Sequence, residues 1–270
     1  MTAQEKLIAR NNERKFICVG LDSDINKIPA HLLSSENPIL EFNKAIIGNT
    51  SEYAAAYKLN FAFYEKEGAK GFENILKTIS FIPKNILIIA DAKRGDIGNT
   101  SQMYADAVYD HFNFDALTIH PYMGRDSVIP FLARQDKLNL VLALTSNPGA
   151  ADFEKLQLND GTYLFQKVIA KVKEWNMNGN CGIVFGATKS SELYENMDLI
   201  SNLPVLLPGV GAQGGSLEDV VNAFKSKNRK NYLINSSRGI IYKDNTASYA
   251  IEAKKEILKL NEKIENILDK

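Results

Sequence analysis

Short apolar runs and longer amphipathic stretches alternate along the chain. The apolar runs are 16–21 (FICVGL), 55–59 (AAYKL), 86–90 (ILIIA), 116–120 (ALTIH), 140–144 (LVLAL), 182–186 (GIVFG), 205–207 (VLL) and 232–235 (YLIN). Each is short and nearly continuous in apolar character, which predicts strands covered on both faces, as in a parallel sheet. Between them apolar residues recur at three- and four-residue spacing, as at Phe72, Ile75, Leu76 and Ile79. That period predicts helices, among them 63–79, 100–111, 162–175, 217–226 and 246–268. Asn99 or Thr100 is placed to cap the third crossover helix, and Ser216 the seventh.

Eight strand candidates, each followed by a helix candidate, predict eight βα units. A (β/α)8 TIM barrel takes ~250 residues, close to the 270 present. A doubly wound open sheet would produce the same order of elements, so the polar positions must separate the two. Asp22, Lys58, Asp91, His120, Thr145, Ser146, Thr188, the 208–215 run (PGVGAQGG) and residues 236–239 all follow predicted strands. A barrel gathers every such loop at one mouth, whereas an open sheet uses only the loops near its switch point. The expected class is α/β, a (β/α)8 TIM barrel. With no linker or strong repeat, residues 1–270 are expected to form a single domain.

Composition narrows the partners. Lys plus Arg equals Asp plus Glu at 32 each. A zero net charge argues against a broad nucleic-acid surface but leaves room for a local phosphate site. Cys18 and Cys181 lie beside apolar runs and read as small buried hydrophobes. No stretch approaches a membrane-spanning length, and the first fifteen residues are too polar for a signal peptide. The expectation is a soluble cytoplasmic protein with no membrane or nucleic-acid partner.

The most informative segment is 91–100, DAKRGDIGNT. Side chains two apart on a strand share a face, so Asp91 and Lys93 should leave the third strand together, with Asp96 a short loop away. Lys58 ends the second strand, the expected spatial neighbour. An alternating Lys–Asp–Lys–Asp row would keep both lysines protonated and both aspartates ionised. Such a row serves chemistry that needs opposite charges close together. The same residues would equally make a structural ion-pair network at a barrel rim.

Three further groups fall on strand-end loops. The 208–215 run and the helix near Ser216 offer backbone amides to an anion, and Arg238 with Gly239 follows strand eight. Barrels often build phosphate sites from these two loops, and Arg238 could grip phosphate with two parallel bonds. Neither a Walker loop nor a dinucleotide fingerprint is present. TSNPG at 145–149 could meet a polar ring or be a plain turn. Asp22 in GLDSD could accept bonds from sugar hydroxyls or cap its own loop. His31, His111 and His120 have no metal-ligand spacing and read as structural, and the helical aromatics Phe61, Phe63, Tyr64 and Phe72 as core.

Taken in order, GLDSD, YKLN, DAKRGDIGNT, TSNPGA, PGVGAQGG and SSRG resemble the orotidine 5′-phosphate decarboxylase family over nearly the whole chain. The resemblance implies conversion of orotidine 5′-monophosphate to UMP without metal or organic cofactor. It implies that Lys93 protonates C6 as carbon dioxide leaves, that Asp91 faces the departing carboxylate, and that Lys58 holds Asp91 and the ribose hydroxyls. Asp96, Ile97 and Thr100 would reach the site of a neighbouring subunit, making an obligatory homodimer. Asp22 would bind the ribose, Ser146 the pyrimidine edge, and Asn60 would be a further substrate-binding residue. Pro208 would pack on the base, and Gln213, Gly214, Arg238 and Gly239 would hold the phosphate. Residues 148–161 and 209–215 are the candidate lids.

Two other readings compete. A magnesium-dependent group that includes hexulose-phosphate synthase shares the barrel and the DxKxxD pattern, but carries Glu at the strand-two place where Lys58 stands here. A cation at that place disfavours a second one. A non-catalytic phosphosugar-binding barrel would keep the phosphate loops yet has no need for the charged row.

Overall fold

All eight predicted strands form. In the computed structural model, which describes residues 1–186, 190–209 and 215–270, they are β1 (Ile17–Gly20), β2 (Ala56–Asn60), β3 (Leu87–Arg94), β4 (Ala116–Ile119), β5 (Leu138–Leu144), β6 (Cys181–Phe185), β7 (Val205–Pro208) and β8 (Tyr232–Ser236). They pair in sequence order and β8 returns to β1, so the sheet closes into a barrel. Every pairing is parallel. Closure decides for the (β/α)8 TIM barrel over the open sheet.

The helices are α1 (Ala3–Asn12), α2 (Pro38–Thr50), α3 (Phe61–Glu65), α4 (Ala69–Ser80), α5 (Gly98–Ala105), α6 (Arg125–Leu132), α7 (Leu164–Trp175), α8 (Ser190–Glu195), α9 (Met197–Ile200), α10 (Leu217–Ser226), α11 (Arg238–Ile241) and α12 (Tyr249–Asp269). Most of them cover the outer face of the sheet. Phe165, Ile169 and Val172 of α7 are fully buried, each contributing roughly 1.5–3 kcal/mol of hydrophobic stabilisation. Inside the barrel Cys18, Ala56, Leu87, Ile89, Leu140 and Leu206 belong to one packed cluster, joined by Ala3 and Leu7 of α1. Helix α1 therefore plugs the end where the strands begin, tied by Lys6 Nζ to Asp115 Oδ1 at 2.7 Å. With that end sealed, chemistry has only the opposite mouth.

Several elements differ from the sequence expectation. The stretch 63–79 is two helices, because Gly68 takes φ +60° and turns the chain between α3 and α4. Left-handed backbone is open to glycine at little cost. Strand β3 runs on to Arg94, so Asp91 and Lys93 lie within it rather than beyond it. Helix α5 consequently starts early. Its N-cap is Ile97, and Asn99 and Thr100 are inside it rather than capping it. The expected 100–111 helix changes to a wider π-helical turn over Asp106–His111. Helix α12 starts at Tyr249 because Asp244 holds a preceding turn, accepting from Thr246 N at 2.9 Å. Ser216 does cap α10, accepting from Asp219 N at 3.1 Å.

Candidate active site

The site begins with strand alternation. Ala56, Leu87 and Ile89 face the barrel interior, so Lys58, Asp91 and Lys93, at even spacing from them, face the same way nearer the mouth. Lys58 is 4% exposed. Its ammonium lies 2.8 Å from Asp91 Oδ2 and 3.5 Å from Asp22 Oδ1. Lys93 Nζ lies 2.6 Å from Asp91 Oδ1. The row from Asp22 through Lys58 and Asp91 to Lys93 is thus continuous.

Burial and charge oppose each other along this row. Burial alone would push the Asp91 carboxyl up, but Lys58 and Lys93 outweigh it and hold it well below the usual carboxylate range. Burial alone would push the Lys58 ammonium down, but Asp91 and Asp22 outweigh it and hold it above the usual lysine value. A buried charge survives only when paired and hydrogen-bonded in this way. Below the row, burial raises the Cys18 thiol to about 12, which leaves it an inert hydrophobe.

The β3–β4 ladder is irregular here. Ala90 pairs with Leu117 and Arg94 with Ile119, so residues 91–93 stand opposite Thr118 alone. Within the bulge Lys93 has φ +47°, an uncommon backbone for a residue with a side chain. Thr118 Oγ1 accepts from Lys93 N at 3.0 Å and donates to Asp91 Oδ1 at 3.1 Å. The bulge ends where Arg94 pairs with Glu65 and its guanidinium lies 5.6 Å from the Phe61 ring and 5.3 Å from the Tyr104 ring.

The other expected residues spread around the mouth. Asn60 sits beside Asp91 in the β2–β3 register and accepts from Ala62 N at 3.2 Å, capping α3. Asp96 is not part of the row within one chain. Its Oδ1 accepts from Ile97 N at 2.8 Å, while Ile97 and Thr100 are exposed. Ser146 follows β5 and packs against Gly186 at the end of β6. Beside it, Thr145 Oγ1 donates to Glu154 Oε1 at 2.9 Å, bracing the loop that leads into Pro148–Asp152. Pro208 ends β7. Arg238 and Gly239 open α11 and are exposed. Gln213, Gly214 and Thr188 lie outside the described residues, as does most of the 209–215 loop. The described ends of that loop are joined by Gly215 N donating to Gly209 O at 3.1 Å. His120 packs its ring against Gly95.

Three contributors escaped the sequence reading. Thr118 looked like one β-branched residue in an apolar run. Tyr242 braces the GLDSD loop, its hydroxyl donating to Asp22 O at 3.0 Å and accepting from Asp24 N at 2.6 Å. Asn235 pairs with Pro208 in the β7–β8 ladder, and its buried carboxamide oxygen has no hydrogen-bond partner among the described residues. None of the three belongs to a motif with its own spacing signal.

A profile of the orotidine 5′-phosphate decarboxylase / HUMPS family matches residues 15–253. The chain belongs to this family. It is 47% identical over 268 residues to the orotidine 5′-phosphate decarboxylase of Porphyromonas gingivalis, covering 98% of this chain and 97% of the relative. It is 46% identical over 272 residues to that of Flavobacterium johnsoniae, covering 100% and 99%. Among solved structures, the Leishmania donovani OMP decarboxylase superposes with a TM-score of 0.85 at 36% identity, over 100% of both chains. The family description spans two kinds of enzyme, whereas these relatives bear the decarboxylase name alone. Among the described residues, no helix is long and apolar enough to cross a membrane.

Proposed function

We propose that this chain decarboxylates orotidine 5′-monophosphate to UMP and carbon dioxide, the step that makes UMP in pyrimidine biosynthesis, with residues 1–270 acting as one barrel domain. The observation that carries the reading is the row Asp22–Lys58–Asp91–Lys93 at the open mouth of the barrel. The C6–carboxylate bond breaks, its electron pair stays on C6, and carbon dioxide departs. No π-system absorbs that charge, so a fixed ammonium beside C6 stabilises it electrostatically. Lys93 supplies that ammonium and then gives C6 its proton as general acid. Asp91 pairs with both ammonium groups, and Lys58 fixes Asp91 from the buried side. The Lys58 ammonium also stands between two carboxylates, where the magnesium-dependent rival would need its cation.

The remaining roles are those the family resemblance implies. Asp22 takes the ribose, Ser146 the pyrimidine edge and Pro208 the base, with Asn60 a further substrate contact. Arg238, Gly239, Gln213 and Gly214 take the phosphate, whose binding energy helps hold the reacting carbon in place. The working unit is a homodimer in which Asp96, Ile97 and Thr100 complete the neighbour's site. Large apolar side chains left exposed around the mouth support it, among them Ile97 at 59%, Tyr122 at 83% and Phe153 at 62%. Patches of this kind mark protein contacts. The buried free thiols of Cys18 and Cys181 fit a reducing cytoplasm.

The test follows the ultraviolet absorbance of orotidine 5′-monophosphate after exhaustive chelation. We expect wild-type turnover to persist and Lys93→Ala to abolish it while still binding UMP. A substantially active Lys93→Ala protein removes Lys93 as the acid, and loss of wild-type activity on chelation removes the cofactor-independent mechanism.

A further inference from the structure

The β3 bulge poses a backbone problem that one side chain solves. A bulge leaves amides without ladder partners, and a buried unpaired amide is costly. Three residues, 91–93, stand against Thr118 in the β3–β4 ladder. The amide of Lys93 is the group turned out of register, with φ at +47°. Left-handed backbone in a residue with a side chain is strained and persists only where surroundings fix it. Thr118 is 1% exposed. Its hydroxyl oxygen accepts from Lys93 N at 3.0 Å and its proton goes to Asp91 Oδ1 at 3.1 Å.

We propose that Thr118 is the positioning residue of the decarboxylation step, a single hydroxyl that joins the backbone of the proton donor to the carboxylate that pairs with its ammonium. This rests on the reading of Lys93 as the acid. One end of the hydroxyl fixes where the Lys93 chain leaves the strand. The other fixes which way the Asp91 carboxylate faces. Asp91 Oδ2 is already bonded to Lys58 at 2.8 Å and Oδ1 to Lys93 at 2.6 Å, so the hydroxyl completes a carboxylate held from three sides. Without it, the Lys93 amide is unpaired and the left-handed turn loses its restraint. The ammonium then samples positions away from C6, and misplacement of about 1 Å can cost a hundredfold in rate. Substrate grip is separate, because the phosphate and base contacts come from the loops after other strands.

Thr118→Val keeps shape and removes both bonds, while Thr118→Ser keeps the hydroxyl. We expect Thr118→Val to lower kcat about 10- to 100-fold with KM and calorimetric UMP affinity within about threefold of wild type. Thr118→Ser should stay within about threefold on every measure. Wild-type kcat in Thr118→Val, a loss falling on KM, or an equal loss in Thr118→Ser would each overturn the inference. Lys93→Ala in the same assay separates this from the underlying reading. If Lys93→Ala is inactive and Thr118→Val is not, only the Thr118 role fails, and if Lys93→Ala is active the acid assignment fails with it. Should Thr118→Val not fold, Thr118→Ala against Thr118→Ser gives the same comparison.

Discussion

At the residue scale, the strongest constraint in the site is the charge balance around Asp91. Its carboxyl is held below the usual range by two ammonium groups, against burial that pushes it up. A depressed native pKa stabilises the fold above the unfolded value of ~3.9, and that stabilisation fades as pH falls toward the folded value. Lys58 is the mirror case. Its raised pKa stabilises the fold below the unfolded value of ~10.4 and is lost as pH climbs past it. The row therefore contributes fully over about pH 5–10. Asp91→Asn leaves the Lys58 charge buried with Asp22 as its one remaining ion-pair partner among the described residues. We expect a loss of roughly 3–5 kcal/mol at pH 7, the range for breaking one side of a buried pair, and a shallower decline in stability between pH 4 and 2. Urea unfolding at both ends of that range checks it, and an unchanged midpoint at pH 7 would contradict the account. Much of this was legible beforehand. DAKRGD placed the charges in order, and the two-residue period put Asp91 and Lys93 on one face. Thr118 was not, because a hydroxyl in an apolar run shows its use only when the neighbouring strand bulges toward it.

At the element scale, strands were easier to read than helices. Continuous apolar runs such as 140–144 survive because both faces of each strand are covered. Helix bounds depended on local backbone events. Gly68 split one helix in two, and the extension of β3 to Arg94 moved the start of α5. Loop placement relies on strand ends meeting closely. A side chain at Gly186 would lie 2.8 Å from Ser146 N and 2.9 Å from Ser146 Cα, both backbone atoms that cannot swing aside. Gly186→Ala should therefore push the 145–149 loop outward. We expect KM for orotidine 5′-monophosphate to rise about tenfold, equivalent to 1.4 kcal/mol of binding, with a fall in Tm of a few degrees. Steady-state kinetics beside a thermal melt decides it, and an unaltered KM would mean that Ser146 is not held through this contact.

At the scale of the whole molecule, a sealed end and an open mouth give the chain its direction. Helix α1, with its Thr2–Glu5 capping box, closes one end. It was not predicted, because its few apolar positions are spread over a polar decapeptide and gain meaning only against the barrel floor. Around the other end Asp96 turns to its own loop while Ile97 and Thr100 face outward. Mixing Lys93→Ala chains with Asp96→Ala chains should restore activity to about a quarter of wild type per site, since random pairing makes half the dimers mixed and each mixed dimer holds one intact site. Equal inactivity of the mixture and the parents would refute a shared site.

The sequence by itself determined the eight alternating βα units and the placing of Asp91 and Lys93 on one face of the third strand. Those follow from local periodicity and from the spacing of charges along one strand, which no distant contact can alter. Tertiary structure alone decided the closure of β8 on β1, the bulge that sets Lys93 at positive φ, and the pairing of Thr118 with Asp91. These depend on register between strands far apart in sequence, and register is fixed only when both faces of the whole sheet are packed.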